Sequence, residues 1–230
     1  MKRTLIALAI CCIAAAANAA TIIGPTPYLA LSDTPDGVFA NTDMVTVQDF
    51  EDADGPWEVG FSIDVGQRIG PLFTSGQGVP VTDSVDADDN SIDGDGTMGA
   101  SWFTATSALN ITFDEPASSA GFVFTDGDQD ANQITVTAFG VDGAELISQT
   151  FDSFLDDVFT GTTQEDRFFG VVSMNNELIQ RIQVSIDQGR GIEIDHIQFT
   201  GAAEIVPEPA SAGLAAIAFL SLMGLRRRRR

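Results

Sequence analysis

Cysteine, histidine, lysine and tyrosine are nearly missing from this 230-residue chain, and each shortage removes a class of chemistry. The two cysteines, Cys11 and Cys12, lie together near the N-terminus. The segment from residue 20 onward therefore has no disulfide, no thiol nucleophile and no thiolate for a metal. One histidine, His196, cannot build a common zinc site or a two-histidine iron triad within one subunit. Positive charge is just as scarce: Lys2, Arg3 and Arg226 to Arg230 take seven of the eleven cations. Residues 20 to 209 keep all 33 acids against Arg68, Arg167, Arg181 and Arg190, a balance of -29. Nucleic acids and anionic lipid surfaces are bound mainly through cations meeting phosphates, so neither is a partner for such a body. There is also no Gly-x-Ser-x-Gly elbow and no Gly-x-x-x-x-Gly-Lys phosphate loop.

Residues 1–19 have the three parts of an export signal. Lys2 and Arg3 precede an apolar run from Leu5 to Ala17, and Ala17-Asn18-Ala19 supplies small residues for cleavage. The run is shorter than the roughly 20 residues that span a bilayer. At the other end, Val206-Pro207-Glu208-Pro209 precedes the uncharged stretch Ala210 to Leu225 and then five arginines. An apolar helix of this length can enter a membrane, and the arginine cluster holds its end on the cytoplasmic side.

The order of motif, apolar helix and basic end in 205–230 resembles the PEP-CTERM sorting signal. That resemblance implies recognition by an exosortase-type membrane protease, transient insertion in the inner membrane, and release to the cell surface or the extracellular space. A permanent anchor is the alternative.

Between the signals, short apolar runs alternate with Gly, Asp, Asn and Pro. The patterning predicts strands at 44–50, 57–64, 102–113, 120–125, 134–141, 146–154, 168–174, 179–186 and 192–199. In Ile134-Thr135-Val136-Thr137-Ala138-Phe139 the apolar side chains fall on one face and the threonines on the other. No segment of 20–204 sustains a helical period. The expected fold is all-β, an antiparallel jelly-roll-like sandwich over 20–204, flanked by an N-terminal signal helix and a C-terminal hydrophobic helix. The Gly- and Asp-rich segment 74–100 reads as one long acidic loop.

Within the body, Gly121 to Asp128, Ile134 to Leu146, Phe168 to Val172, Ile179 to Ile186 and Gly191 to Phe199 are similar, in order, to the β-sandwich found on many PEP-CTERM proteins. Such sandwiches serve as binding or structural modules, so the resemblance speaks to fold and hardly to activity. His196 departs from it, since Asp or Asn usually stands there.

Calcium is the candidate cofactor, because it takes several oxygen ligands at once. Asp126, Asp128, Asp130 and Asn132 form one alternating cluster; Asp86 to Asp95 form a second. Neither has the glycine and terminal glutamate of an EF-hand, and acids that keep a turn solvated explain both equally simply. The resemblance to jelly-roll binding modules implies a third site, between Phe50-Glu51 and Asp195. Around Asp195 the last strand changes phase: Ile194 to Ile197 is a step of three, which predicts a bulge. Trp57 and Trp102 are candidate ligand platforms, with packing in the core as the other reading; Tyr28 is the third large polar aromatic.

The sequence therefore points to an exported, surface-sorted, non-enzymatic envelope or matrix protein of structural or binding type. Its expected partners are the export machinery, the exosortase-like protease and an extracellular polysaccharide. The alternative is a secreted carbohydrate-binding module or a glycan hydrolase using paired carboxylates such as Asp156 and Asp157.

Overall fold

A computed structural model describes residues 19–39, 44–51, 58–69, 100–127, 130–152, 154 and 166–201. The signal up to residue 18, the sorting signal at 205–230, the loop from 74 to 99, and Trp57, Asp128, Asp156 and Asp157 lie outside the described residues.

The described body is all-β, and every strand pairing is antiparallel. Twelve strands run in chain order as β1 (Ala20–Pro27), β2 (Val45–Gln48), β3 (Phe61–Ile63), β4 (Gln67–Ile69), β5 (Ser101–Thr104) and β6 (Ala108–Ala117), followed by β7 (Ser119–Gly127), β8 (Gln133–Gly140), β9 (Glu145–Asp152), β10 (Arg167–Ser173), β11 (Ile179–Ile186) and β12 (Ile192–Thr200). Seven make one sheet, in the order β1-β10-β7-β12-β5-β4 with β2 also paired to β12; five make the other, in the order β3-β6-β11-β8-β9.

Phenylalanine fills the space between the sheets, as the alternation requires. Phe199 of the larger sheet meets Phe113 and Phe61 of the smaller, with ring centroids 5.2 and 6.0 Å apart. Phe169 likewise meets Phe151 across the gap at 5.3 Å.

Three elements differ from the patterning. The run predicted as one strand over 102–113 is two, β5 and β6, lying in different sheets. Its apolar positions do change parity between Trp102 and Leu109, but the corner, Ala105-Thr106-Ser107, contains neither Gly nor Pro; hydroxyls bend it instead, with Thr106 Oγ1 donating to the Ala108 carbonyl at 2.6 Å. Strand β1 is unpredicted because Gly24-Pro25 interrupts it. Its pairing with β10 shifts register there, and Gly24 sits at φ +115°, pressed against the Phe168 carbonyl, so no side chain fits. Strand β4 is only three residues long.

The predicted bulge in β12 is present. Asp195 pairs with Val123 and Gln198 with Gly121, so three steps on β12 oppose two on β7. His196 takes the left-handed turn, at φ +41°.

Candidate functional site

The two sheets present very different outer faces. On the larger sheet, alternation puts Glu193, Asp195 and Gln198 of β12 opposite the core, where a sandwich strand would ordinarily meet water. All three are buried, as is His196. The chain leaving β1 folds back over them: Tyr28 and Val38 join Val123 and Phe168 in a second apolar cluster on this side. Val38 sits where Gly170 has no side chain; a Cβ there would lie 2.7 Å from its methyl.

Beneath this strap lies a closed polar network. The Tyr28 hydroxyl is hydrogen-bonded to His196 Nδ1 at 2.8 Å and accepts from Gln198 Nε2 at 3.0 Å. Gln198 Oε1 in turn accepts from Thr34 Oγ1 at 3.0 Å. Tyr28 also stacks on Phe168, with centroids 5.7 Å apart. The chain's one histidine is thus spent on holding the strap. Tyr28→Phe removes a hydroxyl that two buried groups use, and an expected loss of about 2 kcal/mol in unfolding free energy, read by denaturant titration, checks this.

The acids of the terminal strand lie beside a gap in the same sheet, each with its own partner. Strands β2 and β5 share one edge of β12: Gln48 pairs with Ile197, and Trp102 with Ile194, leaving Asp195 and His196 between them. Phe50, at φ +60°, and Glu51 turn into this gap from β2, and Glu51 Oε1 accepts from the Ala100 amide at 2.5 Å. Ser101 donates its hydroxyl to Glu193, and Asp195 Oδ1 accepts from the His196 amide at 2.7 Å.

A guanidinium reaches the backbone beside the candidate calcium residues. Arg68, itself buried, sends its guanidinium into the gap from β4, with Nε donating to the Phe50 carbonyl at 2.5 Å and Nη2 to the Glu51 carbonyl at 3.5 Å. A dication needs six to eight oxygen ligands. Of the oxygens beside Glu51, the Phe50 and Glu51 carbonyls already accept from Arg68.

The cluster at 126–132 is divided. Asp126 is buried on β7 opposite Glu193, its Oδ1 accepting the Gly127 amide at 2.6 Å, whereas Asp130 and Asn132 are exposed in the turn before β8. That turn is held by Asp187, whose Oδ1 accepts the amides of Asn132 and Gln133 at 2.8 and 2.9 Å. The Gln133 amide is the main cause holding the Asp187 carboxyl below its ordinary range. Among the described residues, no three acidic, histidine or cysteine side chains converge as a metal-ligating group.

Trp102 packs rather than presenting a platform: it is 7% exposed, lies 5.8 Å from the Phe50 ring, and donates its indole N–H to the Val65 carbonyl at 2.9 Å. Tyr28 is fully buried and offers no platform either.

The smaller sheet's outer face is open and polar, and sequence reasoning did not single it out. The registers of β6, β11, β8 and β9 align side chains in rows. One row is Ala108, Ser185, Thr135 and Thr150; the next is Asn110, Gln183, Thr137 and Ser148. A third runs Ser62, Thr112, Arg181, Phe139 and Glu145. Ser62, Ser148 and Thr150 are exposed, and most of the rest half-exposed.

Neighbouring side chains on this face hold one another. Thr135 and Thr150 share a hydroxyl hydrogen bond at 2.9 Å, as do Thr137 and Ser148 at 2.7 Å. Arg181 lies over the Phe139 ring, 3.8 Å from its centroid, and donates to Asn110 Oδ1 at 2.6 Å; Gln183 Nε2 donates to the same oxygen at 3.1 Å. The first two rows hold no carboxylate, and the third ends on Glu145. Asp64, which accepts from Asn110 Nδ2 at 2.6 Å, stands with Asp152 and Asp187 around their rim. The alternating threonines of β8 were the one visible signal for this face.

No family model matches the chain. No curated protein matches it. Among solved structures it is similar to a family 35 carbohydrate binding module from Clostridium thermocellum, at 14% identity and a TM-score of 0.33, covering 69% of this chain and 98% of that one. It is also similar to a mutant of the lectin binding domain of Lectinolysin complexed with Lewis b (14% identity, TM-score 0.31, 60% and 93% covered). A third is the catalytic domain of GH87 alpha-1,3-glucanase in complex with nigerose (14% identity, TM-score 0.35), of whose length the match spans 30%, against 73% of this chain. Likeness at this level identifies neither a ligand nor an activity.

Proposed function

We propose that this chain is an exported, non-catalytic binding module of the cell envelope or extracellular matrix, and that the outer face of its smaller sheet is the working surface. Its N-terminal signal directs export. Its C-terminal motif, Val206 to Pro209, hands it to an exosortase-like protease after transient insertion in the inner membrane.

The observation that carries this reading is the asymmetry of the two faces. The larger sheet is sealed by its strap, and the only histidine is committed there. The smaller sheet keeps an ordered polar array open in a chain of net charge -22, with Glu145 the one carboxylate in its three rows.

Fractionating the native host tests the proposal. The full chain is expected in the surface or matrix fraction, with an intact mass lacking Arg226 to Arg230. Ser148→Asp with Thr150→Asp should release it to the medium while processing proceeds normally. Retention of that variant at the wild-type level would refute the assigned face, and a main species still carrying the arginines would refute processing.

A further inference from the structure

We propose that the outer face of the smaller sheet binds a neutral, hydroxyl-rich polysaccharide laid across its strands, an assignment of ligand class that rests on the binding role given to that face above.

Charge selects the class. The body between the two signals carries 33 acids and four arginines. A polyanionic glycan is repelled by that field, and a basic partner is drawn to the acids that fill the rest of the surface. The three rows answer neither. Their two charges cancel: Arg181, spread flat over Phe139 and tied to Asn110, and Glu145 at the β9 end of the third row. What remains on offer is hydroxyl, amide and guanidinium N–H, the complement of a polymer whose own surface is hydroxyl.

Hydrogen-bond capacity agrees. A hydroxyl has one donor and two acceptor lone pairs, so a mutually bonded pair spends one donor and one acceptor and keeps the rest for a ligand. Both pairs, Thr135 with Thr150 and Thr137 with Ser148, are in this state. Their rotamers are already fixed, which lowers the ordering cost on binding. Arg181 has five donors, one committed to Asn110 through Nη1, and its planar fork suits vicinal hydroxyls.

Shape sets the length of the ligand. Strands stand about 4.8 Å apart, so rows four strands wide make a flat strip matched to an extended chain of several sugars rather than to one sugar in a pocket. The rim acids Asp64 and Asp152 border the strip and turn away anionic chains at its edges.

Affinity electrophoresis of the exported protein recovered from its host, in gels containing hydroxyethyl cellulose, laminarin, dextran or alginate, tests the assignment. At least one neutral glucan is expected to retard the wild type, and alginate not to. Ser148→Asp with Thr150→Asp should weaken retardation tenfold or more. Thr150→Val, which removes a hydroxyl from an exposed position at constant shape, should weaken it roughly fivefold while leaving circular dichroism unchanged, the value of one hydrogen bond. No retardation by any neutral glucan, in a protein whose Ser148→Asp, Thr150→Asp variant still escapes the matrix, would overturn the neutral-glycan assignment and leave the face standing as a surface for another partner. Retardation by a neutral glucan that both variants leave untouched would place the glycan elsewhere and overturn the inference. Variants that change neither mobility nor retention would overturn the face itself.

Discussion

Arg68→Met is expected to lower the unfolding free energy by about 3 kcal/mol or more, and to make stability respond to calcium where the wild type's does not. The buried guanidinium donates to the Phe50 and Glu51 carbonyls. Methionine keeps the stem's packing and removes the charge and both donors. The Phe50 and Glu51 carbonyls would then lose their donors, a loss that is costly in a poorly solvated place. Arg68→Lys restores the charge without the planar fork and should recover only part of it. Thermal unfolding in calcium and in chelator, at matched ionic strength, is the measurement. The wild type should melt identically in both. In Arg68→Met the vacated oxygens become available, and calcium at about 100 times its dissociation constant would return roughly 2.7 kcal/mol. A wild-type melting temperature that rises specifically with calcium, and stops rising in Glu51→Gln, would mean that a metal rather than the guanidinium closes this gap.

Gly121→Ala is expected to cost about 3 kcal/mol, a fall in melting temperature of roughly 10 °C for a body of this size. Gly121 sits in the middle of the larger sheet, paired with Gly170 on one side and Gln198 on the other. A Cβ there would stand 2.8 Å from the Phe169 carbonyl and closer still to the Phe168 ring. That ring carries the stacked Tyr28, so the methyl group pushes on the strap as well as on the strand. Gly143→Ala is the control: its φ is +79° but nothing lies within 4 Å of the added atom, so only backbone strain remains, about 1 kcal/mol. Equal losses at the two positions would show that conformation, and not the close approach of Phe168, decides the cost at Gly121.

The polar positions of β12 explain why part of the site was legible in the sequence and part was not. Alternation is a local property, fixed by successive side chains pointing to opposite faces, so Ile192, Ile194, Ile197 and Phe199 could be assigned to the core from their spacing. The step of three between Ile194 and Ile197 even announced the bulge at His196. Nothing local says what covers the other face. Glu193, Asp195 and Gln198 read as a solvated side, yet all three are buried, Gln198 under the strap at 28–39 and Glu193 against the Ser101 hydroxyl. For the same reason Tyr28 and Trp102 looked available for a ligand: an aromatic's composition signal is the same whether its ring packs or protrudes.

The sequence by itself determined the all-β class, most of the strands, the two terminal signals as expectations, and the exclusion of thiol chemistry and nucleic-acid binding, because period, composition and charge are summed along the chain. The tertiary structure decided which donor meets the Phe50 and Glu51 carbonyls, since Arg68 is brought there by the β4-β5-β12 pairings. It also decided that Thr135, Thr137, Ser148 and Gln183 share one face, because that depends on the register among β11, β8 and β9, and register joins residues that spacing along the chain keeps far apart.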